Sequence, residues 1–380
     1  MRGLKTQYAS FSVIIIGGGL AGLTAAIHLS NAGVKVLLIE KNKFPKHKVC
    51  GEYISNEVLP YLTFLNIDVF ALGAHKIDML QLSTSKNKQI KAALPLGGFG
   101  ISRFTLDHAL AKKATNSGVE LIKDTVTNIT FTNNTFVVET KKATYKALFV
   151  IGAHGKRSNL DVKLNRPFMN RKSPFLAVKT HLEGHFPDGL VALHNFNGGY
   201  CGISKIENDL INLCYITQFK TFKAYKDVNS FQEAILFKNN HIKTVLESGK
   251  SVFKAPLTIS QISFSNKNPI ENHIIMCGDS AGLIHPLCGN GMSMAIRSAQ
   301  MAATLLLAYF NGQITSRASL EQAYKMAWNK EFKSRLQAGH ITASILNNST
   351  LANTLMPLAQ QIPGLLPKII TKTHGKPMVV

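Results

Sequence analysis

A glycine-rich turn between two apolar runs constrains the fold of this chain more than any other feature. Residues 11–16 (FSVIII) form an apolar run rich in β-branched side chains, which predicts a strand buried on both faces of a parallel sheet. Residues 17–22 (GGGLAG) follow, a helical pattern continues to residue 31, and residues 34–39 (VKVLLI) predict a second buried strand. This order predicts a βαβ unit.

The glycines of this turn have the spacing of a dinucleotide-binding fingerprint. Gly17 permits a tight turn, Gly19 lets the backbone approach a pyrophosphate, and Gly22 allows the helix to pack closely on the strand. The free N–H groups at the start of the helix would bind phosphate oxygens. Glu40 ends the second strand, where a carboxylate can accept hydrogen bonds from an adenosine ribose, and an acid there disfavours a 2′-phosphate.

A second glycine motif lies far along the chain. A short apolar strand at residues 273–277 leads into residues 278–282 (GDSAG) and then residues 289–293 (GNGMS), which open a long helix over residues 291–310. The Asp279 carboxylate can bind a polyol hydroxyl. The N–H groups of the loop and the helix dipole can face a group that becomes anionic.

The middle of the chain has a different pattern. Residues 175–217 alternate apolar and polar side chains between turn signals, which predicts antiparallel sheet. Residues 103–117 predict a helix with Thr105 as its N-cap, and Asn133-Asn134 predicts a hairpin.

We therefore expect an α/β fold, a Rossmann-like nucleotide domain with an inserted antiparallel β-sheet domain and a helical C-terminus. The nucleotide domain is predicted at residues 1–70, 98–165 and 266–315. The sheet domain is predicted at residues 71–97 and 166–265, and the C-terminal helical segment at residues 316–380.

Charge and composition narrow the classes of protein. Apolar residues make up 45% of the chain, which argues against a disordered chain and a small disulfide scaffold. Lys and Arg number 43 against 21 Asp and Glu, a net charge of +22 that favours nucleic acid, phosphate-bearing cofactors or an anionic membrane as partners. The same excess also fits a solvated lysine-rich surface.

Cysteine usage and hydropathy bear on the compartment. The five cysteines are widely spaced without a C-x-x-C pair, so we expect neither disulfides nor a metal site, and a reducing cytoplasmic compartment. Residues 336–367 contain no charged side chain but are interrupted by Asn and Pro, which argues against a spanning helix. A segment lying on an anionic membrane surface remains an alternative.

The two motifs together resemble the flavoprotein superfamily of aromatic hydroxylases, flavin-dependent halogenases and geranylgeranyl reductases. The resemblance implies noncovalent FAD, with residues 17–22 on its ADP part and Asp279 on its ribitol. It would place the N–H groups of residues 289–292 beside the flavin N1 and C2=O, where they would stabilise the reduced ring.

Two further stretches strengthen the resemblance. Residues 44–52 (FPKHKVCGE) are similar to the reductase-branch segment that lies against the flavin, and residues 101–107 (ISRFTLD) contain the family's cofactor-contacting arginine. The predicted cofactor-binding residues are Gly17, Gly19, Leu20, Ala21, Gly22, Glu40, Lys41, Lys48, Cys50, Gly51, Arg103, Val126, Gly152, Asp279, Gly289, Asn290, Gly291 and Met292.

The chain departs from the family at two points. His154 stands where the family usually has the acid of an Asp-Gly pair, which leaves direct use of NAD(P)H as the electron donor open. The halogenase W-x-W-x-I-P motif is absent, because Trp328 is the only tryptophan, and this disfavours halogenation.

Three residues are candidates for catalysis. Cys50 is a packing residue, a redox-active thiol or a proton donor, and packing is the favoured interpretation. His194 and Tyr200 lie on the predicted sheet that would roof the flavin, where either could donate a proton to substrate. Their alternative role is that of half-buried sheet residues bonded to backbone.

We expect an FAD-dependent monooxygenase that hydroxylates an apolar aromatic, polyketide or quinone-like substrate through a flavin C4a-hydroperoxide. The alternative that the Cys50-Gly51 segment favours is an ene-reductase acting on an isoprenoid chain. A third alternative, motivated by charge, is a non-catalytic protein that binds nucleic acid or a membrane surface. For the enzyme we expect an apolar small-molecule substrate and no nucleic-acid partner, and the oligomeric state is open.

Overall fold

The protein was analysed as a computed structural model that describes residues 9–170, 173–262, 264–285, 287, 289–347, 351, 353–354, 362 and 364–379. The helices are α1 (Leu20–Asn31), α2 (Leu59–Phe64), α3 (Arg103–Asn116), α4 (Asn159–Lys163), α5 (Phe219–Phe222), α6 (Val228–Ile235), α7 (Asn240–Ser248), α8 (Gly291–Phe310), α9 (Arg317–Asn347) and α10 (Leu365–Thr373).

The strands form two sheets. They are β1 (Ala9–Ile16), β2 (Val36–Glu40), β3 (Tyr53–Ser55), β4 (His75–Ser83), β5 (Gln89–Gly100), β6 (Glu120–Lys123), β7 (Val126–Thr132), β8 (Thr135–Thr140), β9 (Thr144–Gly152), β10 (Phe175–Glu183), β11 (Gly189–Phe196), β12 (Gly199–Lys205), β13 (Ile211–Gln218), β14 (Lys250–Ser251), β15 (Leu257–Ile262), β16 (Ile270–Glu271) and β17 (Ile274–Met276).

Among the described residues, the first sheet has eight strands built on a parallel core. The central order is β17-β9-β1-β2-β6, in which Ile14 of β1 pairs with Leu37 of β2 and Val150 of β9. Strand β2 is entirely buried, and β1 is buried from Val13 to Ile16, as the continuous apolar sequence predicts. Helix α1 lies against α8 and α3, which brings the two predicted glycine motifs to one edge of this sheet.

The second sheet has nine strands among the described residues and is largely antiparallel. One of its faces is covered by α6 and α7, whose Phe231, Ile235 and Ile242 complete a separate hydrophobic core. The predicted α/β fold with an inserted antiparallel sheet is confirmed. Strand β3 and the whole of β5, to Gly100, belong to the second sheet. Residues 53–55 and 98–100 therefore differ from the predicted bounds, which placed them in the nucleotide domain.

Two local predictions can be compared directly with the backbone. Asn133 and Asn134 both adopt left-handed φ angles, of 50° and 58°, in the predicted β7–β8 hairpin. The predicted cap of α3 is wrong. Ser102 is the N-cap, because its backbone is extended and its side chain accepts a hydrogen bond from the N–H of Thr105, which is already helical.

The C-terminal part is helical where it is described. Helices α9 and α10 lie against each other, and α10 also lies against β5 of the second sheet. Much of the uncharged stretch at residues 336–367, including most of residues 348–363, lies outside the described residues. No helix within the described part of the chain is both long and apolar enough to cross a membrane.

Candidate functional site

One elongated cavity joins the two glycine motifs. Its volume of about 1060 Å³ lies just above the range of roughly 300–1,000 Å³ that is typical of small-molecule pockets. Gly19 of the first motif and Gly291 of the second both line it. The other predicted site residues that line it are Gly17, Leu20, Ala21, Glu40, Lys41, Lys48, Cys50, Gly51, Arg103, Val126, Tyr200, Asp279, Gly289 and Met292.

The first turn can be built only with glycine at two positions. Gly17 has a φ of 109°, and a Cβ there would lie 2.3 Å from the carbonyl oxygen of Ala153. A Cβ on Gly22 would lie 1.9 Å from the carbonyl oxygen of Gly17. Gly22 therefore supports the turn by close packing, as predicted, and it does not line the cavity itself. A Cβ on Gly19 would meet nothing nearer than Arg103, at 3.8 Å, so Gly19 is open towards the cavity.

The Glu40 side chain holds the backbone of this glycine turn. Its Oε2 accepts a hydrogen bond of 2.7 Å from the N–H of Gly18, and its Oε1 accepts from the N–H and side chain of Asn42. The carboxylate lies at the carboxyl end of β2, beside the start of α1. It is thus placed both to hold the glycine turn and to reach a ribose bound in the cavity.

Two cations share one buried carboxylate beside Gly19. Arg103 makes a bidentate ion pair with Asp107, and the Lys48 ammonium lies 2.7 Å from the same carboxylate. Burial and the neighbouring guanidinium lower the pKa of Lys48, while Asp107 outweighs the effect of burial and raises the pKa of Arg103. Because two cations face one anion, this group carries an excess positive charge suited to a pyrophosphate.

Residues 48–52 run across the cavity wall opposite the start of α8. The Cys50 Sγ lies 3.5 Å from the Sδ of Met292, so the first residues of α8 and the Cys50 thiol are in contact. Glu52 follows in a left-handed conformation with a φ of 54° and is completely buried. Its carboxylate contacts Lys179 at 2.5 Å and His181 at 2.8 Å. Burial alone would raise the pKa of Glu52, but the hydrogen bond from His181 and the charge of Lys179 lower it.

The second motif is held by a half-buried lysine. Gly278 has a φ of 60°, and its N–H donates to Ser298 of α8. The Lys267 ammonium donates to the carbonyl oxygens of Asp279 and Lys156 at 2.6 and 2.7 Å. Burial lowers the pKa of Lys267 to about 8. The loop is fixed through its backbone, and the Asp279 side chain lines the cavity.

The position of the family's missing acid is occupied by a histidine with an acid beside it. The Nε2 of His154 lies 3.1 Å from Asp161, which also receives a hydrogen bond of 2.9 Å from Arg166. Burial alone would raise the pKa of Asp161, but His154 and Arg166 outweigh it and hold that pKa at about 2. Arg166 in turn donates to the carbonyl oxygen of Ser280, so this group joins the segment after β9 to the second glycine motif.

Besides Gly22, three predicted site residues do not line the cavity. Gly152 is the last residue of β9, where it pairs with Ile16 and Met276 inside the sheet. The side chain of Asn290 is buried, and its amide donates to the carbonyl oxygen of Thr373, the last residue of α10. His194 lies on the far face of the second sheet, because β11 alternates and Leu193 faces the cavity.

The prediction that His194 can protonate substrate is therefore wrong. Its Nδ1 bonds the Ser83 hydroxyl at 2.8 Å, and its ring stacks on His241 at a centroid distance of 5.0 Å. Burial and the neighbouring His241 lower the pKa of His194 to about 3. Tyr200 on the adjacent strand does line the cavity, so it remains a candidate proton donor together with Cys50.

The part of the cavity lined by the second sheet, the loop at residues 283–287 and α10 is hereafter called the apolar end. It is lined by Leu80, Leu82, Leu94, Val191, Leu193, Ile216, Leu283, Leu287, Leu366, Ile369 and Ile370, among others. The described charged residues that line the cavity all lie elsewhere. They are Glu40, Lys41, Lys46, Lys48, Glu52, Arg103, Asp124, Lys156, Arg157 and Asp279.

Four residues that hold the segment at residues 48–52 were not predicted from the sequence. Glu52 is the last residue of the segment at residues 44–52 that resembles the reductase branch, but no role is predicted for it. Lys179, His181 and Asn212 lie on β10 and β13 and contact residues 48–52. A signal exists for Lys179 and His181, because they are alternate polar residues in a strand that is otherwise largely apolar.

The described residues also bring His75, Asp188 and Asp209 together, with ligand atoms within 4.8 Å of one another. The Lys205 ammonium already lies 2.6 Å from Asp188 and 3.4 Å from Asp209. Both carboxylates are largely exposed, and this surface cluster lies outside the cavity.

The cavity fits an extended dinucleotide. A diphosphate beside Gly19 would meet the start of α1 and the Arg103–Lys48 group, and a ribose would reach Glu40. The far end of the ligand would lie between Cys50 and Gly291, where a Cβ would lie 3.7 Å from the nearest atom of the described residues. A fold of this kind, with a dinucleotide groove leading into an apolar end, is typical of dinucleotide-dependent oxidoreductases.

Comparison with known proteins identifies the family. Residues 10–327 match the FAD binding domain family, and the chain belongs to it. The chain is 26% identical over 354 residues to conditioned medium factor receptor 1 of Dictyostelium discoideum, a match covering 85% of this chain and 68% of that protein. It is 25% identical over 330 residues to digeranylgeranylglycerophospholipid reductase 1 of Methanothermobacter thermautotrophicus, covering 80% and 79%.

Solved structures show the same fold. A geranylgeranyl bacteriochlorophyll reductase-like protein from Thermoplasma acidophilum superimposes with a TM-score of 0.75 at 17% identity, covering 96% of each chain. These findings confirm the predicted superfamily and its cofactor. The protein is an FAD-dependent oxidoreductase, and the hypothesis of a non-catalytic protein is set aside.

Proposed function

We propose that this protein uses bound FAD to reduce carbon–carbon double bonds in an apolar, isoprenoid-type chain. The observation that carries the proposal is the single cavity that runs from Gly19 past Cys50 and Gly291 into the apolar end. FAD, when bound, supplies the electron pair for the reduction. The name of the digeranylgeranylglycerophospholipid reductase to which the chain is similar supports the same substrate class.

The lining of the apolar end favours a hydrocarbon over a charged substrate. None of the described Asp, Glu, Lys or Arg residues that line the cavity is among the residues named for the apolar end. A charged substrate group in the apolar end would lose its hydration without gaining a partner, which costs several kcal/mol. A polyprenyl chain gains about 0.8 kcal/mol for each CH₂ that it buries there.

Reduction of an alkene also needs a proton at the second carbon. The protic side chains placed for this are the Cys50 thiol, on the segment opposite α8, and the Tyr200 hydroxyl, on the sheet that roofs the cavity. Each would hold a proton at a site from which the surrounding apolar side chains exclude water. Tyr200 lies beside the ring of His285, at a centroid distance of 5.9 Å.

The second candidate function is hydroxylation of an aromatic, polyketide or quinone-like ring. Thr373 and His374 favour it, because they place polar atoms at the same end of the cavity. A hydrocarbon chain cannot form hydrogen bonds with these groups, whereas a ring that bears oxygen would be oriented by them.

One assay separates the two functions. The FAD-loaded protein is reduced with dithionite under nitrogen and mixed with a geranylgeranyl lipid, and the product is analysed by mass spectrometry. Double-bond reduction adds two hydrogens without oxygen. A product that gains an oxygen atom, forms only in air and appears with an aromatic or quinone substrate would replace the proposal with hydroxylation. Parallel reactions with NADH and NADPH test whether either serves as electron donor.

Helix α10 suggests how an apolar substrate reaches the cavity. Ile369 lines the apolar end and is also 38% exposed, so the cavity reaches the surface beside this helix. Lys368 and Lys372 are exposed on the same helix. We therefore propose that α10 contacts an anionic membrane, from which the substrate enters the apolar end.

A further inference from the structure

Side chains of the second sheet bind three backbone carbonyl groups in residues 48–52. The Asn212 amide donates to the carbonyl oxygen of Gly51 at 2.8 Å and to that of Cys50 at 3.4 Å. The Lys179 ammonium donates to the carbonyl oxygen of Lys48 at 3.1 Å. Both side chains are completely buried. The second sheet therefore holds the backbone of the segment that lies against the start of α8.

The residues that hold this segment share a sheet face with residues of the apolar end. In the register of β10 and β13, His181 pairs with Asn212 and Lys179 pairs with Cys214. The next pair on the same face is Ala177 with Ile216, and both of these line the cavity. Strands β10 and β13 thus use the same face for both contacts. Ala177 and Ile216 line the cavity, and Lys179 and Asn212, further along this face, hold residues 48–52.

The three carbonyl groups bound by Asn212 and Lys179 fix the direction of the N–H groups in the same peptide units. In a trans peptide the N–H points opposite to the C=O. The N–H groups of Val49, Gly51 and Glu52 therefore point away from the side chains that bind the carbonyl oxygens. In the described part of the chain, none of the three donates to another residue. All three residues line the cavity.

Glu52 keeps the held segment in its conformation. Its left-handed φ costs energy for a residue other than glycine, and its carboxylate is fixed by Lys179, His181 and the N–H of Arg103. The negative charge of Glu52 also neutralises Lys179. The contribution of Lys179 to the cavity is therefore the direction of the backbone dipoles rather than its own charge.

We propose that Asn212 and Lys179 are positioning residues that aim the N–H groups of Val49, Gly51 and Glu52 at the redox ring of FAD and so raise its reduction potential. Donors aimed at the ring stabilise the negative charge that it gains on reduction. The inference needs FAD binding alone and holds for either reaction considered above.

The test measures the reduction potential of bound FAD by equilibration with a reference dye. Asn212→Ala and Lys179→Met remove the donors to the carbonyl groups. Asn239→Ala is the matched control, since Asn239 is equally buried, its amide donates to the carbonyl oxygens of Thr84 and Asn195, and it does not line the cavity. Thermal unfolding of all three variants reports the loss of stability.

We expect Asn212→Ala and Lys179→Met to lower the ratio of reduced to oxidised flavin at least tenfold at a fixed dye potential, about 30 mV for two electrons. Asn239→Ala should leave the ratio unchanged at a similar loss of stability. Equal ratios in all holoproteins would overturn the inference. If a variant purifies without FAD, its dissociation constant for added FAD replaces the potential. A constant higher than that of Asn239→Ala supports the inference, and an equal one overturns it.

Discussion

The Oε2 atom of Glu40 accepts a 2.7 Å hydrogen bond from the N–H of Gly18, so the acid that ends β2 fixes the glycine turn that precedes α1. The other oxygen of the same carboxylate is held by Asn42. The two segments that flank the first crossover of the sheet are thereby joined at the point where the adenosine part of FAD would bind. The acid has a structural role in addition to the ribose contact that its position predicts.

The first prediction is that Glu40→Ala weakens FAD binding at least tenfold. The variant loses a charge-assisted hydrogen bond, which contributes about 1.5–3 kcal/mol, and also frees the turn. Titration of apoprotein with FAD, followed by quenching of flavin fluorescence, gives the dissociation constant. Glu247→Ala, at an exposed position of α7, is the control and should bind FAD as the unmodified protein does. Equal affinity of the two variants would contradict the role given to Glu40.

The sequence predicted the glycine turns and their common ligand because these features are local. Gly17 needs a left-handed φ, and Gly22 needs contact without a Cβ. Both requirements leave a visible trace in a single stretch of sequence. The start of α8 was predicted for the same reason, since the Gly-Asn-Gly sequence of residues 289–291 interrupts the chain directly before the helical pattern begins.

Features that depend on tertiary structure could not be predicted. Period-2 alternation shows that two faces of β11 exist but not which face meets the cavity, and His194 was therefore placed on the wrong one. Lys179 and Glu52 lie far apart in sequence, so their ion pair has no local signal. The hydrogen bond from the Asn290 side-chain amide to α10 is also a long-range contact without a local signal.

The second prediction concerns the pH dependence of stability. The pKa of Asp161 lies below its ordinary value of 3.8, at about 2, so its charge stabilises the fold above pH 4, and this stabilisation is lost as the pH falls through 2. The shift corresponds to about 2 kcal/mol. Asp161→Asn should therefore unfold more easily in urea at pH 7, and the difference from the unmodified protein should shrink between pH 4 and pH 2. A difference that is constant over this interval would contradict the assignment.

The third prediction separates the two candidate proton donors. Loss of the general acid should slow double-bond reduction about 100-fold or more while FAD remains bound. Cys50→Ala and Tyr200→Phe each remove one protic group, and single-turnover oxidation of the reduced flavin by substrate gives the rate. Rates equal to that of the unmodified protein in both variants, and in the double variant, would exclude both residues as donors.

The fourth prediction tests the membrane contact of α10. Lys368→Glu with Lys372→Glu reverses two exposed charges, and each basic residue near an anionic surface contributes about 1 kcal/mol. Flotation with phosphatidylserine vesicles should recover much less of this variant than of the unmodified protein. Lys141→Glu with Lys142→Glu reverses two exposed charges in the β8–β9 turn and is the control. Equal recovery of the two double variants would show that α10 is not the contact.

The most direct test of the central claim uses the two glycines that are open to the cavity. A Cβ at Gly19 or Gly291 would approach no atom of the described residues closer than 3.7 Å, whereas one at Gly22 would clash with backbone at 1.9 Å. If one FAD extends between the two helix starts, Gly19→Val and Gly291→Val should each abolish stoichiometric FAD binding and leave the melting temperature of the apoprotein unchanged. Retention of FAD at full affinity in either variant would contradict the claim that both glycine turns bind the same cofactor.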